Sequence, residues 1–365
     1  MSKRAEGLDV VLMGLFKNVA KKRFTLIFIL FLIPFLSYLS FINYAESPVG
    51  EGKRTVTVDI PKGTGFRGIV DILEQKGLVQ HRLSFYLLAF SQRAAGHIKA
   101  GEYEFTVSMT PLDILKKLRR GDIKGYLVTF PEDITLREVA ARLAAYRLVD
   151  EQTFLKLSTD REFLDSLGVE GPSLEGFLYP ETYLLDRSME TREVIRIMVR
   201  QFWKRVTPQL LSKARESGFT TQELITLASI IGKESGDKGE KTLISAVFHN
   251  RLKKGMKLQS DPTAVYEVNG FSGIIKKKDL LNNNPHNTYL IKGLPPTAIA
   301  NPGIDSIKAA LSPAKVDFLY FVSKNDGTHS FSTNYATHNE AISRYRNQGE
   351  QDPVPDLGGA KTVTP

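Results

Sequence analysis

The sequence predicts a mixed α+β protein carried on one N-terminal transmembrane helix, with an α+β subdomain and then a larger α+β domain. Three observations lead there. Residues 24–42 carry no charge, a strand–Pro–helix pattern occurs twice between residues 60 and 149, and a capped helix over 220–235 ends its apolar face on an acid. The 365 residues hold 42% apolar and 24% charged side chains, as a globular chain of about two domains does.

Residues 24–43 are the expected membrane span. Nineteen uncharged residues at helical rise reach roughly 28 Å, enough for the hydrocarbon core. Lys17, Lys21, Lys22 and Arg23 precede the span, whereas residues 43–52 hold Glu46 and Glu51 and no base. That asymmetry keeps residues 1–23 in the cytoplasm and puts the bulk of the chain outside. A cleaved signal peptide fits less well, because the apolar run is too long and Ser47-Pro-Val-Gly50 is a poor cleavage site. The first 23 residues carry six bases and two acids, so the rest of the chain holds only +5 of the +9 total. A surface that mildly basic suits acidic polymers or anionic lipid and excludes a nucleic-acid stripe. The absence of cysteine excludes disulfides and thiolate chemistry, and the spacing of the six histidines suggests no metal site.

After a linker at 44–53, a first domain is expected over 54–125 and a second over 126–347, followed by a disordered tail at 348–365. Ile60–Val79 lies over Phe130–Val149 without a gap, with Pro61 on Pro131, Arg67 on Arg137 and Leu73 on Leu143. Tyr103–Thr110 and Tyr183–Glu190 match likewise, each a strand followed by Ser-Met and a helix, at 110–120 and 190–205. From about 206 the pattern changes. The helix over 220–235 opens with a Thr220–Glu223 capping box, and a second runs through Leu243, Val247 and Leu252 to a stop at Gly255. Asp261 is the expected N-cap of a helix with Pro262 at its first position. Residues 268–303, rich in Asn, Gly and Pro, read as a binding segment. A helix at 305–311, strands at 317–323 and 328–333 joined at Asp326-Gly327, and a helix over 335–347 complete the domain.

Leu224, Leu227, Ala228 and Ile231 mark the apolar face of the 220–235 helix, and three residues further on the face reaches Glu234. Burial disfavours a carboxylate's charged form, so Glu234 should hold its proton to unusually high pH, as a general acid must. A structural ion pair would occupy the same position. Asn250, Gln259, Asp261, Asn287 and Tyr289 follow as candidate substrate contacts, since amides and tyrosine rings suit a sugar polymer. Taken singly, each could instead cap or turn the chain, and Tyr266 and Tyr320 are expected in the core. A two-carboxylate glycosidase would need a partner acid, for which Asp261 and Glu181 are both conceivable. No Gly-x-Ser-x-Gly elbow supports a serine hydrolase, and Lys62-Gly-Thr-Gly65 lacks phosphate-loop spacing.

A set of motifs then resembles a known family. Leu227-Ala-Ser-Ile-Ile-Gly-Lys-Glu-Ser235, Val247-Phe-His-Asn-Arg-Leu252, Met256-Lys-Leu-Gln-Ser-Asp-Pro-Thr263, Asn287-Thr-Tyr289, Gly293-Leu-Pro-Pro296, Ile299-Ala-Asn-Pro-Gly303, Tyr320-Phe-Val322 and His329-Ser-Phe331 are similar to those of the endolytic murein transglycosylases, the YceG-like family. Gly176-Phe-Leu-Tyr-Pro-Glu-Thr-Tyr183 and Ala100-Gly-Glu-Tyr-Glu-Phe105 agree, so the resemblance covers roughly residues 20–347.

The resemblance implies an inner-membrane enzyme with a LysM-like first domain and a YceG-like catalytic domain that cuts nascent peptidoglycan strands internally. It places the catalytic acid on Glu234. Many members carry a second acid two positions earlier, where this chain has Gly232; some have an aromatic residue where it has His286. The implied reaction breaks the β-1,4 bond between N-acetylmuramic acid and N-acetylglucosamine without water, leaving a 1,6-anhydro end. Its partners are the glycan strand and the membrane, and no cofactor is expected. A pyridoxal phosphate lyase would need a phosphate cup that the sequence does not offer. A non-catalytic glycan-binding scaffold that recruits cell-wall synthases is the alternative.

Overall fold

The structure, a computed structural model, describes residues 25–349 apart from 27, 95, 97, 267, 269–272, 274 and 277. The expected cytoplasmic segment 1–23 and most of the expected tail lie outside the described residues. The chain divides into two compact units between Gly125 and Tyr126, and the secondary structure is mixed α+β.

In the first unit, helix α1 (Phe28–Glu46) is long and apolar enough to cross a membrane. It runs past residue 43, the expected end of the span, into the expected linker at 44–53. The segment after it is held rather than free: Val49 N donates to Met109 O at 3.1 Å and Gly50 N to Val107 O at 2.8 Å. Strand β1 (Thr55–Ile60) alternates outward Thr and Asp with inward Val58 and Ile60. Helices α2 (Phe66–Gln75) and α3 (Arg82–Ser91) follow, then β2 (Gly101–Thr106), antiparallel to β1 with Thr55 opposite Thr106 and Ile60 opposite Gly101. Helix α4 (Pro111–Arg120) shows why its ends fall where they do. Thr110 Oγ1 accepts the Asp113 N–H at 3.1 Å, Pro111 takes the first helical position, and Gly121 closes the helix at φ 70°. Phe85, Tyr103, Phe105 and Leu73 form the core, and Phe41 and Tyr44 of α1 pack against it.

The second unit begins with the same ribbon. Strand β3 (Tyr126–Thr129) pairs antiparallel with β4 (Thr182–Leu185), and Thr129 faces Thr182. Between them stand α5 (Leu136–Ala145), α6 (Glu151–Leu157) and α7 (Arg161–Ser166); α8 (Thr191–Arg205) follows β4. The internal sequence match thus corresponds to two copies of one construction, a strand, a Pro, a helix, and a return strand leading through Ser-Met into another helix. The insertions between strands differ because the first copy uses two helices there and the second uses three.

After α9 (Pro208–Glu216), helix α10 (Thr221–Glu234) is the axis of the unit. Its capping box forms as the sequence suggests: Glu223 N donates to Thr220 Oγ1 at 3.2 Å, and Thr220 N donates to Glu223 Oε2 at 2.8 Å. Only one buried face was expected, yet every residue from Leu224 to Gly232 is buried. The polar members of that stretch are satisfied internally, with Ser229 Oγ donating to Thr226 O at 2.8 Å and accepting Ile299 N at 3.0 Å. Around it lie α11 (Lys241–Lys253), α12 (Asp261–Val265) and α13 (Ile304–Leu311). Strands β5 (Tyr320–Ser323) and β6 (His329–Ser332) form a third antiparallel ribbon, and α14 (Tyr335–Gly349) packs against it.

One residue knits the start and end of this unit together. Asn301 is fully buried; its Oδ1 accepts Gly176 N and Leu178 N at 3.0 and 2.9 Å, and its Nδ2 donates to Ile134 O and Glu175 Oε1 at 2.9 and 3.0 Å. A side-chain amide whose four hydrogen-bonding positions are all used is what burial of Asn requires.

Candidate active site

Glu234 is the last residue of α10, partly buried where the helix leaves the core. The chain then turns extended at Ser235, whose Oγ donates to Asp237 O at 2.5 Å. Ser260 Oγ donates to Glu234 Oε1 at 2.5 Å. Ser260, not Asp261 as expected, is the N-cap of α12, and its hydroxyl serves Glu234 instead of capping. That one-residue shift puts Asp261 at the first helical position, where its backbone N–H also reaches the Glu234 carboxylate.

The Glu234 carboxyl is pushed up to about 7. Burial is the largest cause, and the negative charge of Asp261 adds to it; the Ser260 hydroxyl, the Asp261 N–H and the Arg251 guanidinium oppose both. A carboxylate in the last helical turn also meets the partial negative charge of the helix C-terminus. Glu234 therefore titrates near neutrality, able to give a proton and to take one back.

The cleft beside Glu234 has a volume of about 530 Å³. Gln259, Asp261 and Tyr289 line it, as do Tyr320, His338 and Tyr345. Tyr289 Oη donates to Asp261 Oδ1, while Arg251 lies 5.2 Å from the Tyr320 ring and donates to Leu258 O and Leu319 O at 2.6 Å each. Arg251 thereby fixes the segment before Ser260 and the strand opposite it in one step. Gln259 stands at φ 51° with its N–H on Thr288 O at 3.2 Å, so its backbone is held by the loop that carries Tyr289. His329 also faces the cleft, its Nδ1 2.8 Å from Glu240 Oε2.

Four of the six residues singled out from the sequence, Glu234, Gln259, Asp261 and Tyr289, are thus brought together. Asn250 and Asn287 do not line the cleft. Asn250 Nδ2 donates to Val316 O and Phe318 O at 2.8 and 2.9 Å, tying α11 to the approach of β5. Asn287 is fully buried, and its Nδ2 donates to Leu280 O and Asn282 O at 3.1 and 2.7 Å. The Nδ2 groups of both amides hold loops, and neither residue lines the cleft. Glu181, the other conceivable acid, is taken by Gln201 and by Arg205 at 2.9 Å. Ser260 and Arg251 were not singled out as site residues from the sequence, and Tyr320, expected in the core, is only partly buried and lines the cleft.

Gly232 has a packing explanation. A Cβ there would stand 1.9 Å from Asp133 Oδ1, an atom with no hydrogen-bond partner whose carboxyl burial pushes up to about 6. Gly232→Ala is expected to destabilise the protein, despite the gain of about 1 kcal/mol that alanine brings to a helix interior. In an Asp133→Gly background the same change should become stabilising, and urea melts of the four variants would show the change of sign.

A larger cavity of about 680 Å³, lined in part by Tyr266, Lys233 and Pro262, does not include Glu234. Its acids are both committed: Glu138 closes the α5 capping box, and Glu175 accepts Leu136 N at 2.9 Å and Tyr266 Oη at 2.8 Å. Among the described residues, no three His, Asp or Glu side chains assemble as metal ligands.

If Ser260 holds down the Glu234 pKa, Ser260→Ala should move the ionisation of Glu234 further above its present value of about 7. Carbon-13 NMR titration of the glutamate carboxyls would read the shift, and an unmoved titration would refute the assignment.

Comparison with known proteins places the chain in a family. A model described as the YceG-like family matches residues 58–344. The chain is 32% identical over 312 residues to a protein of Bacillus subtilis (strain 168) named endolytic murein transglycosylase, spanning 81% of this chain and 86% of that one. It is 29% identical over 327 residues to a Streptococcus pneumoniae D39 protein of the same name, but spans only 59% of that relative's length. Among solved structures, a yceG-like protein of Listeria monocytogenes matches with a TM-score of 0.55 at 31% identity, covering 79% of this chain and 99% of the other. With the family model matched over most of its length, this chain belongs to the YceG-like family.

Proposed function

We propose that this chain is a membrane-anchored lytic transglycosylase that cleaves nascent peptidoglycan strands internally, with Glu234 as its general acid and then its base. That it is a murein transglycosylase rests on the names its relatives carry at about 30% identity over 81% of its length. The observation that carries the mechanism is a carboxyl titrating near 7 at the edge of a tyrosine-rich cleft.

In this reading protonated Glu234 gives its proton to the O4 leaving group of N-acetylglucosamine as the bond to muramoyl C1 breaks. The carboxylate so formed takes the proton of the muramoyl C6 hydroxyl, whose oxygen bonds to C1 and closes the 1,6-anhydro ring. Glu234 ends protonated, and no water is consumed. The substrate's own 2-acetamido group can shield C1 between the two steps, so no second protein acid is needed, outside the two-carboxylate scheme. Arg251 and Ser260 hold the loop and orient the carboxyl, while Tyr289 and Tyr320 offer flat faces to the sugar rings.

Helix α1 anchors the enzyme in the cytoplasmic membrane with the N-terminus inside. The unit from residue 54 to 125 is a LysM-like domain, and that from 126 to 347 is the catalytic domain, outside the membrane where strands emerge. There it terminates glycan elongation beside the synthases. Purified full-length protein on polymerised, uncrosslinked glycan should generate anhydro ends. Reducing muramic ends would make it a hydrolase, and no cleavage by the wild type would leave a glycan-binding scaffold.

A further inference from the structure

Helix α3 is apolar nearly all round, Arg82-Leu-Ser-Phe-Tyr-Leu-Leu-Ala-Phe-Ser91. Phe85, Leu88 and Ala89 are buried in the core of the first unit, but Leu83, Leu87 and Phe90 are 73%, 53% and 83% exposed. Their spacing, i, i+4 and i+7, makes one stripe along the helix. A helix apolar on both faces is ordinarily covered on both.

The neighbourhood of the stripe identifies its cover. A cavity of about 760 Å³ is walled by Leu36, Phe41 and Tyr44 of α1 and by His81, Ser84 and Leu87 at the start and along α3. Leu87 therefore shares this cavity with Leu36 of the membrane helix. Leu36 precedes the end of the uncharged run, at Ile42, by about 9 Å of helix. That is within the ~5–10 Å depth at which amphipathic helices rest in a bilayer. The depth is not adjustable by a loose tether, since Ala45 is buried in the unit's core and Phe41 and Tyr44 pack against it. Exposed Leu36 and Leu39 continue the apolar surface on α1. At the far end of the stripe the charge turns basic. Arg93 follows Phe90, Arg119 Nη1 donates to Gln92 O at 3.4 Å, and Arg120 is beside it, with Asp122 the nearby acid in sequence. Basic side chains at the rim of an apolar face suit anionic lipid headgroups.

We propose that α3 is a second membrane contact, its Leu83, Leu87 and Phe90 immersed in the outer leaflet beside α1, with phospholipid as the occupant and Arg93 and Arg119 at headgroup level. This rests on the anchor reading of α1. Two points of attachment would fix the orientation of the first unit over the bilayer more firmly than α1 alone.

The chain has no cysteine, so single-cysteine labelling is clean. Leu83→Cys, Leu87→Cys and Phe90→Cys, with Ile33→Cys in α1 and Thr57→Cys on the exposed side of β1 as references, would each carry an NBD fluorophore. The full-length protein would be reconstituted in vesicles of phosphatidylethanolamine and phosphatidylglycerol. Blue-shifted emission, quenching by doxyl-labelled lipid and loss of dithionite reactivity at 83, 87 and 90, as at 33, are the expected result. Aqueous behaviour at all three with lipid behaviour at 33 overturns the proposal and leaves the anchor standing. Shielding from both reagents means a second copy covers the stripe and also overturns it. Aqueous behaviour at 33 removes the anchor reading and this proposal with it.

Discussion

Replacement of Glu234 by Gln is expected to lower the rate of anhydro-end formation by about 10²–10⁴-fold, the usual contribution of a positioned acid–base group. Gln keeps the shape and can still accept from Ser260 Oγ, so binding of glycan should change little and the loss should fall on kcat. Muropeptide analysis after timed digestion reads it directly. Wild-type rates in the variant would remove Glu234 from the mechanism. The same substitution carries a second signature of opposite sign. Because the folded protein raises the Glu234 pKa from 4.5 to about 7, its burial is tolerated while the group is protonated and costs stability as pH rises through that window. Glu234→Gln should therefore stabilise the protein at pH 8 and change it little at pH 4. An active-site acid that weakens the fold at working pH is a common cost of function.

The second large effect is expected far from the cleft. Asn301→Ala would strand the Gly176 and Leu178 N–H groups and part of the Glu175 carboxylate inside the protein, while the Ile134 carbonyl keeps the backbone N–H of residue 301 at 2.9 Å. Leaving one buried group unpaired costs about 1–3 kcal/mol, and several are lost at once, so a loss on the order of 4 kcal/mol is expected. For a unit of this size that lowers the melting midpoint by roughly 10 °C. The full-length protein in detergent, followed by circular dichroism at 222 nm, would show it. A midpoint within a degree or two of wild type would mean that water or relaxation satisfies these groups. Activity at low temperature should largely survive, which separates this residue from Glu234.

The uncharged run at 24–42, the capping box, the two-fold strand–Pro–helix pattern and the candidate acid were all legible in the sequence. Each depends on spacing within a single element or on similarity between two short stretches. Alternation in Thr55–Ile60 and the 3.6-residue period up to Glu234 are properties of neighbours, and neighbours are adjacent in sequence by definition. The same reasoning went astray where the determining partner was remote. Asn250 and Asn287 had the right chemistry for sugar, but backbone carbonyls 66 and 5 residues away claimed their amides. Tyr320 looked like core because the strand carrying it is apolar, and only the packing of α14 and Arg251 shows which face is open. The full burial of α10 was missed because amphipathicity measures one face, and three other helices decide whether the second is covered.

What the sequence determined by itself was the order of the elements with clear local spacing, though not α3, α6, α7 or α9, and the acid at the end of the central helix. What only the tertiary structure decided was the state of that acid. Ser260, Asp261 and Arg251 come from 17 to 27 positions further along the chain, and their distances to Glu234 depend on how α10, α11 and α12 pack. A pKa is set by the solvent excluded and the charges gathered within a few ångströms, and no periodicity in a single strand of text specifies which those will be.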